Sequence, residues 1–396
     1  MLGDCDAVVA GHICLDVIPD LAGIAPGKFE TVFLPSRLVD VGPATLSTGG
    51  AVSNTGLALS RLGIETRLIG KVGDDLFGQA IKQIVTAHGP DLAAGMVADE
   101  TASTSYTVVI SPPGVDRIFL HCPGANDTFG AADVGHEAVA ETRLFHFGYP
   151  PLMQRMFEDD GTELTEMFRR VKTLGVTTSL DLAVPDPISA AGRANWRAIL
   201  QATLPHVDIC LPSVEEILYM LRRETYERFR ATGDLPAQVT PPLLSDLSRE
   251  LLAMGARIVG FKLGHRGLYL HTAGQSAIEA LGTARPSNPS AWTGKELWAP
   301  CFRVDVVGAT GAGDATIAGF LAALLRDLSP EEALTAAVAV GACNVEAADA
   351  LSGVRPWEET WRRVESGWAR HHLDLESPGW RFDDACHLWV KTGAGA

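Results

Sequence analysis

The chain lacks the signatures of several large protein classes. Its seven cysteines, Cys5, Cys14, Cys122, Cys210, Cys301, Cys343 and Cys386, form no CxxC pair and leave one over. That argues against a disulfide framework and predicts reduced thiols in a cytoplasmic protein. Basic residues are scarce: 32 Lys and Arg stand against 48 Asp and Glu, a formal net charge of -16. Such a surface repels nucleic acid and anionic membrane, so neither is expected as a partner. No apolar run is long enough to span a bilayer, and Met1 to Asp4 leads into a strand near Val8 without a basic n-region, so no signal peptide is expected. His371-His372 and Cys386-His387 lack metal-ligand spacing. There is no GxxxxGK[ST] loop, no HRD or DFG pair, and no GxGxxG after the first strand.

What is present is alternation. Of 396 residues, 46% are apolar, enough for a large core. Short apolar runs at Val8 to Ala10, Arg67 to Lys71, Leu144 to Phe147, Thr177 to Leu182, Ile209 to Leu211 and Ile258 to Leu263 read as strands. Helical periodicity marks Val52 to Leu62, Phe77 to Ala87, Glu163 to Leu174, Glu215 to Arg223, Leu243 to Met254, Ala315 to Leu325 and Glu331 to Ala350. Strands alternating with helices predict an α/β fold, a mostly parallel sheet with helices on both faces, in one domain over residues 1–396. Residues 17–48 and 101–121 break the alternation with Pro, Gly and β-rich stretches, including Tyr106 to Ile110 and Arg117 to Leu120. Arg223 to Pro242 and Gly282 to Pro300 read as long inserted loops. Residues 357–396 form a C-terminal extension whose tryptophans are expected to pack on the body.

Two glycine motifs carry chemistry. Thr310-Gly311-Ala312-Gly313-Asp314 falls between the apolar run Phe302 to Val307, read as a strand, and the helix from Ala315. A small-residue turn at a helix start points backbone N–H groups at an anion, and the helix dipole favours negative charge there. Asp314 would stand beside that cradle as a proton acceptor, although an Asp opening a helix also fits an ordinary cap. The second motif, Gly49-Gly50-Ala51-Val52-Ser53-Asn54, feeds a helix that ends at Gly63. Its glycines clear the backbone for a ligand, and the Asn54 amide can both donate to and accept from a hydroxyl.

Together with Ile69 to Gly78, Val8 to Asp16, Gly124-Ala125-Asn126, Pro212 to Glu216 and Lys262-Leu263-Gly264 to Gly267, this pair of motifs resembles the ribokinase-like (PfkB-type) carbohydrate kinase family in content and order. The resemblance implies a three-layer α/β/α domain with a small β lid formed by the segments at about 17–48 and 101–121. It implies ATP-dependent phosphorylation of a hydroxyl on a small sugar or related alcohol, with Mg²⁺. Asp314 would be the base, and Gly311, Ala312 and Gly313 the anion hole. Asp16, Gly49, Gly50 and Asn54 would bind the sugar, Lys262, Gly264, Gly267 and Asn344 the nucleotide, and Glu216 the metal through water. A homodimer through the lid is expected. A nucleoside kinase, or a catalytically silent sugar- or nucleotide-binding protein of the same fold, is the alternative. The chain departs from the family's pattern at Ser213, where Asn is usual, at Gly308-Ala309, where Asp-Thr is usual, and at Thr316, where an aromatic is common. Without the Asp, a weakened or absent potassium site is expected.

Overall fold

The computed structural model describes residues 5–24, 34–111 and 118–392. Parts of both expected lid segments, residues 25–33 and 112–117, lie outside the described residues, as do Met1 to Asp4.

Six strands run parallel in the order Thr66–Ile69, Cys5–Gly11, Thr142–Gly148, Thr177–Leu180, Ile209–Cys210, Ile258–Lys262. Four antiparallel strands, Leu268–Thr272, Glu296–Ala299, Leu388–Lys391 and Trp380–Asp383, continue the sheet to ten. Alternation along Cys5–Gly11, the strand next to the edge strand Thr66–Ile69, explains the layers. Ala7 and Val9 face one apolar cluster, with the helices Ala51–Arg61, Ala312–Leu325 and Pro330–Asn344, while Val8 and Ala10 face another, with Thr162–Thr173, Trp196–Thr203, Val214–Leu221 and Pro241–Ala253. A parallel sheet buried on both faces is the expected result. The lid is a separate sheet in the order Ala44–Gly49, Cys14–Pro19, Tyr106–Ile110, Ile118–Cys122.

Several sequence expectations are corrected here. Phe302 to Val307 is not a strand: Phe302 makes a single bridge with Arg370, and Val306 and Val307 are exposed. The C-terminal extension takes its place, with Arg303 N–H donating to Ala369 O (2.8 Å) and His371 N–H to Cys301 O (2.8 Å). Gly282 to Pro300 is not all loop, since Glu296–Ala299 is a fully buried strand and Pro289–Trp292 a short 3-10 turn. Arg223 to Pro242 contains the helices Arg223–Ala231 and Leu235–Gln238. The last long helix stops at Asn344 rather than Ala350, because Val345 O turns back to accept from the amides of Val307 and Gly308. The tail tryptophans pack as expected: Trp380 lies 6.4 Å from Trp298 and Trp368 stacks on Phe302 at 4.4 Å between ring centroids.

Candidate active site

The site forms where the lid strands, the glycine-led helix Ala51–Arg61 and the helix Ala312–Leu325 meet. A cleft of about 1590 Å³ is lined by Asp16, Gly49, Gly50, Asn54, Gly311 and Asp314. Six sequence-predicted residues separated by up to almost three hundred positions thus share one surface. The volume exceeds the roughly 300–1,000 Å³ of a single small-ligand pocket.

The two glycines are explained by what a side chain would strike. A Cβ on Gly49 would lie 2.6 Å from Asp16 Oδ2, and one on Gly50, at φ 93°, would lie 2.5 Å from His12 Nδ1. Their absence of side chain makes room for two cleft residues. Asn126, in the turn after the lid, clamps the same strand: its Oδ1 accepts from Ile13 N–H (3.2 Å) and its Nδ2 donates to Ile13 O (2.9 Å). Asp16 is partly buried and accepts from Cys14 Sγ at 3.4 Å. Burial pushes its carboxyl up to about 6, against the opposing hydrogen bonds.

Asp314 sits in the first turn of a helix that packs between Ala51–Arg61 and Pro330–Asn344, and is buried. Its carboxylate accepts three hydrogen bonds, from Asn54 Nδ2 (3.1 Å), Thr55 Oγ1 (3.2 Å) and Tyr149 Oη (2.8 Å). Three donors fix one rotamer, so the carboxylate is oriented before any ligand arrives. Asn54 therefore spends an amide N–H on Asp314. Tyr149 adopts left-handed backbone angles, φ 66° and ψ 42°, a conformation that costs a non-glycine residue on the order of 1–2 kcal/mol. Burial, reinforced by Asp314, holds its phenol well above the usual tyrosine range, so it stays a donor.

The glycine turn shows the expected helix N-terminus. Gly311 caps it at φ 71°, where a Cβ would lie 2.8 Å from Ala350 O. Of the three amides expected to face an anion, that of Ala312 is already engaged with Ala309 O at 3.3 Å. Thr316 donates to Ala312 O (2.7 Å), and its hydroxyl lies over Gly341, 2.3 Å from where a Cβ there would stand.

The residues assigned to the nucleotide and metal do not line this cleft. Lys262 lays its stem beside Gly313, 3.5 Å from the position of a Cβ there, and its ammonium donates to Asp181 Oδ1 at 2.5 Å. Burial works against the ammonium, but Asp181 and Glu216 outweigh it and hold Lys262 above the usual lysine value. Burial in turn raises the Asp181 carboxyl, with Lys262 opposing. Glu216 forms a capping box: its Oε2 accepts from Ser213 N–H (2.7 Å) while Ser213 Oγ accepts from Glu216 N–H (3.2 Å). Serine caps a helix as well as asparagine, so this departure leaves the helix start intact. Asn344 is fully buried beneath the glycine turn and donates to Thr310 O at 2.8 Å. Gly264 and Gly267 bracket a turn tied to the inserted helices, with Arg266 donating to Pro236 O (2.7 Å) and Val239 O (2.6 Å). Gly308 donates to Val345 O (3.2 Å) and brings no carboxylate to the turn. Among the described residues no group of three or more His, Cys, Asp or Glu is placed to hold a metal ion, and no helix is long and apolar enough to cross a membrane.

Sequence reasoning placed the loop from Asp181 to Pro187 near the site without giving Asp181 a role, and missed Tyr149, Thr55 and the cleft histidines His12 and His121. Tyr149 carried one legible signal, a Gly-Tyr-Pro-Pro turn directly after a strand. The others read as ordinary strand or helix residues.

Comparison with known proteins identifies the family and the fold. Residues 6–356 match the sequence model of the pfkB family carbohydrate kinases, which ends where the C-terminal extension begins. The chain is 26% identical over 212 residues to fructokinase-2 of Oryza sativa subsp. japonica, covering 53% of this chain and 58% of that protein. It is 23% identical over 376 residues to fructokinase-1 of the same plant, covering 92% of this chain and 100% of that protein. The Arabidopsis thaliana ribokinase complexed with ribose and ATP superposes with a TM-score of 0.67 at 19% identity, covering 92% of this chain and 99% of that one. The fructokinase with bound ATP from Xylella fastidiosa superposes with a TM-score of 0.66 at 19% identity, over 91% and 98%. With the ribokinase fold shared and the family model matched along most of its length, the chain belongs to the pfkB family of carbohydrate kinases.

Proposed function

We propose that this protein transfers the γ-phosphoryl group of ATP to a hydroxyl of a small carbohydrate, with Asp314 as the base. The observation that carries the reading is the Asp314 carboxylate, held by three donors at a helix N-terminus inside the cleft that also contains Asp16. The acceptor hydroxyl gives its proton to Asp314 as its oxygen attacks phosphorus, the bond to the bridging oxygen breaks, and ADP leaves. Charge building on the transferred group is met by the Gly311 and Gly313 amides, the helix dipole and Lys262. Each such donor contributes on the order of 3 kcal/mol, and the pre-set carboxylate supplies positioning. Mg²⁺ neutralises phosphate charge when bound. Glu216 fits it through intervening water, since one of its oxygens is committed to the cap and magnesium keeps several waters in such sites. Gly308 offers no carboxylate to a monovalent cation, so the reading includes no potassium requirement. The exposed apolar residues Leu46, Ile118 and Leu120 on the lid are read as the face for a second copy of the chain.

The test is a panel of sugars, polyols and nucleosides with Mg-ATP, read as ADP release, on wild type and Asp314→Asn. Loss of a general base predicts a fall in kcat of about 10³-fold with the acceptor's affinity retained. Undiminished turnover in the variant would remove Asp314 from the mechanism. Thermal stabilisation by an acceptor without any turnover would identify a silent binder instead.

A further inference from the structure

His12 sits at the root of the lid with both ring nitrogens buried and without a hydrogen-bond partner among the described residues, and the residue is only 2% exposed. An unpaired buried polar ring is unfavourable in the free protein, and it is tolerated where a ligand supplies the missing partner. The ring belongs to the cleft that holds Asp16 and Asp314. Its backbone is pinned on both sides, with His12 N–H donating to Gly148 O (3.3 Å) and His12 O accepting from Val52 N–H (3.1 Å). The Cβ missing at Gly50 is what lets the imidazole lie there.

We propose that His12 hydrogen-bonds a hydroxyl of the acceptor, and that the acceptor is an uncharged sugar or sugar alcohol rather than a sugar acid or sugar phosphate. The inference rests on the kinase reading of the same site. A neutral imidazole presents one donor and one acceptor; a hydroxyl can satisfy either nitrogen, whereas an anionic oxygen, which only accepts, can satisfy the N–H alone. Burial, with His121 adding to it, keeps the ring neutral. His121 lies 5.3 Å away between ring centroids and is tied to Thr107 Oγ1 at 3.0 Å. On the other side Tyr149 is 6.2 Å away between ring centroids and leads directly to Asp314. Asp16 contributes a carboxylate to the same cleft and would repel an anionic acceptor. Among the described lining residues the only Lys or Arg is Arg230, exposed on the helix Arg223–Ala231 with Glu215 and Asp234 also in the lining. An anionic acceptor that used Arg230 is the competing outcome.

The experiment compares D-fructose, D-ribose, D-gluconate and D-fructose 6-phosphate with Mg-ATP on wild type, His12→Ala and His12→Asn, with thermal shifts measured for each sugar without nucleotide. The expected result is a neutral sugar preferred by wild type, with KM raised about tenfold or more in His12→Ala, a smaller change in kcat, and partial recovery in His12→Asn. The sugar-free His12→Ala protein should melt lower than wild type, because a buried ring is lost and a cavity is left; the shift induced by a neutral sugar separates the roles, since a purely structural role would leave that shift intact. Preference for gluconate or the phosphate overturns the neutral class, and an unchanged KM in His12→Ala overturns the role of His12. If nothing is turned over, a thermal shift by a neutral sugar that vanishes in His12→Ala upholds the inference while the kinase reading fails. No shift by any neutral sugar overturns it.

Discussion

The two halves of the site are built on opposite principles. On the lid side, polar groups are left waiting: His12 has no hydrogen-bond partner for its ring among the described residues, and Asp16 carries a carboxyl raised by burial. On the side assigned to the nucleotide, the groups are already satisfied by one another. Lys262 is paired with Asp181, Glu216 caps its own helix, and Asn344 props up Thr310. On the proposed reading, the first half takes a ligand that supplies the missing hydrogen bonds. The second must exchange internal bonds for external ones, and its charge pair is kept stable in the absence of ligand.

Lys262→Met is the strongest way to break this contrast. The Asp181 side chain is 2% exposed, so removing its partner leaves a buried carboxyl uncompensated, at a cost of about 3 kcal/mol. Chemical denaturation should show that loss, and Asp181→Asn combined with Lys262→Met should recover part of it. No loss in the single variant would mean that the pair is not closed in the free protein.

Asp16 provides a pH test of the lid side. Its folded value of about 6 lies above the ordinary 3.8. Between those values the folded protein holds the proton more than the unfolded chain does, so this group's contribution to stability declines as pH rises through the window and is level above it. Acceptor binding runs the other way, because the ionised form accepts from hydroxyls. KM for the acceptor should rise about tenfold per unit as pH falls below 6, with no such rise in Asp16→Asn. A flat profile would show that the neutral carboxyl binds equally well.

Tyr149→Phe acts at the boundary and should have the smallest effect. It removes one of three hydrogen bonds to Asp314, worth about 1 kcal/mol or roughly fivefold in kcat, with KM for ATP unchanged. A much larger loss would make the tyrosine a direct participant rather than a positioning group.

The residues assigned to the acceptor and to the base were more legible in the sequence than those assigned to the nucleotide, for a physical reason. Gly49, Gly50, Gly311 and Asp314 occupy conformations or close approaches that constrain residue type, so they are readable as glycines and an acid at helix starts. His12 was not readable, and Tyr149 only as part of a Gly-Tyr-Pro-Pro turn, because their importance lies in partners missing or gained from strands and helices distant in the chain. The same limit explains the misread strand at Phe302 to Val307. Its β-branched residues suit a strand, but the neighbouring sheet position is taken by Leu388–Lys391 from the C-terminal extension.

Taken alone, the sequence determined the alternating α/β pattern, the acidic surface, the two glycine turns and the acid that follows one of them. These are local properties, set by side-chain period, backbone freedom and charge. Only the tertiary structure decided that Asp314 is gripped by Asn54, Thr55 and Tyr149, that Lys262 is spent on Asp181, and that the His12 ring is buried without a hydrogen-bond partner among the described residues. Those facts depend on which distant groups share one small volume, and hydrogen bonds and desolvation act over a few ångströms of space, whatever the separation along the chain.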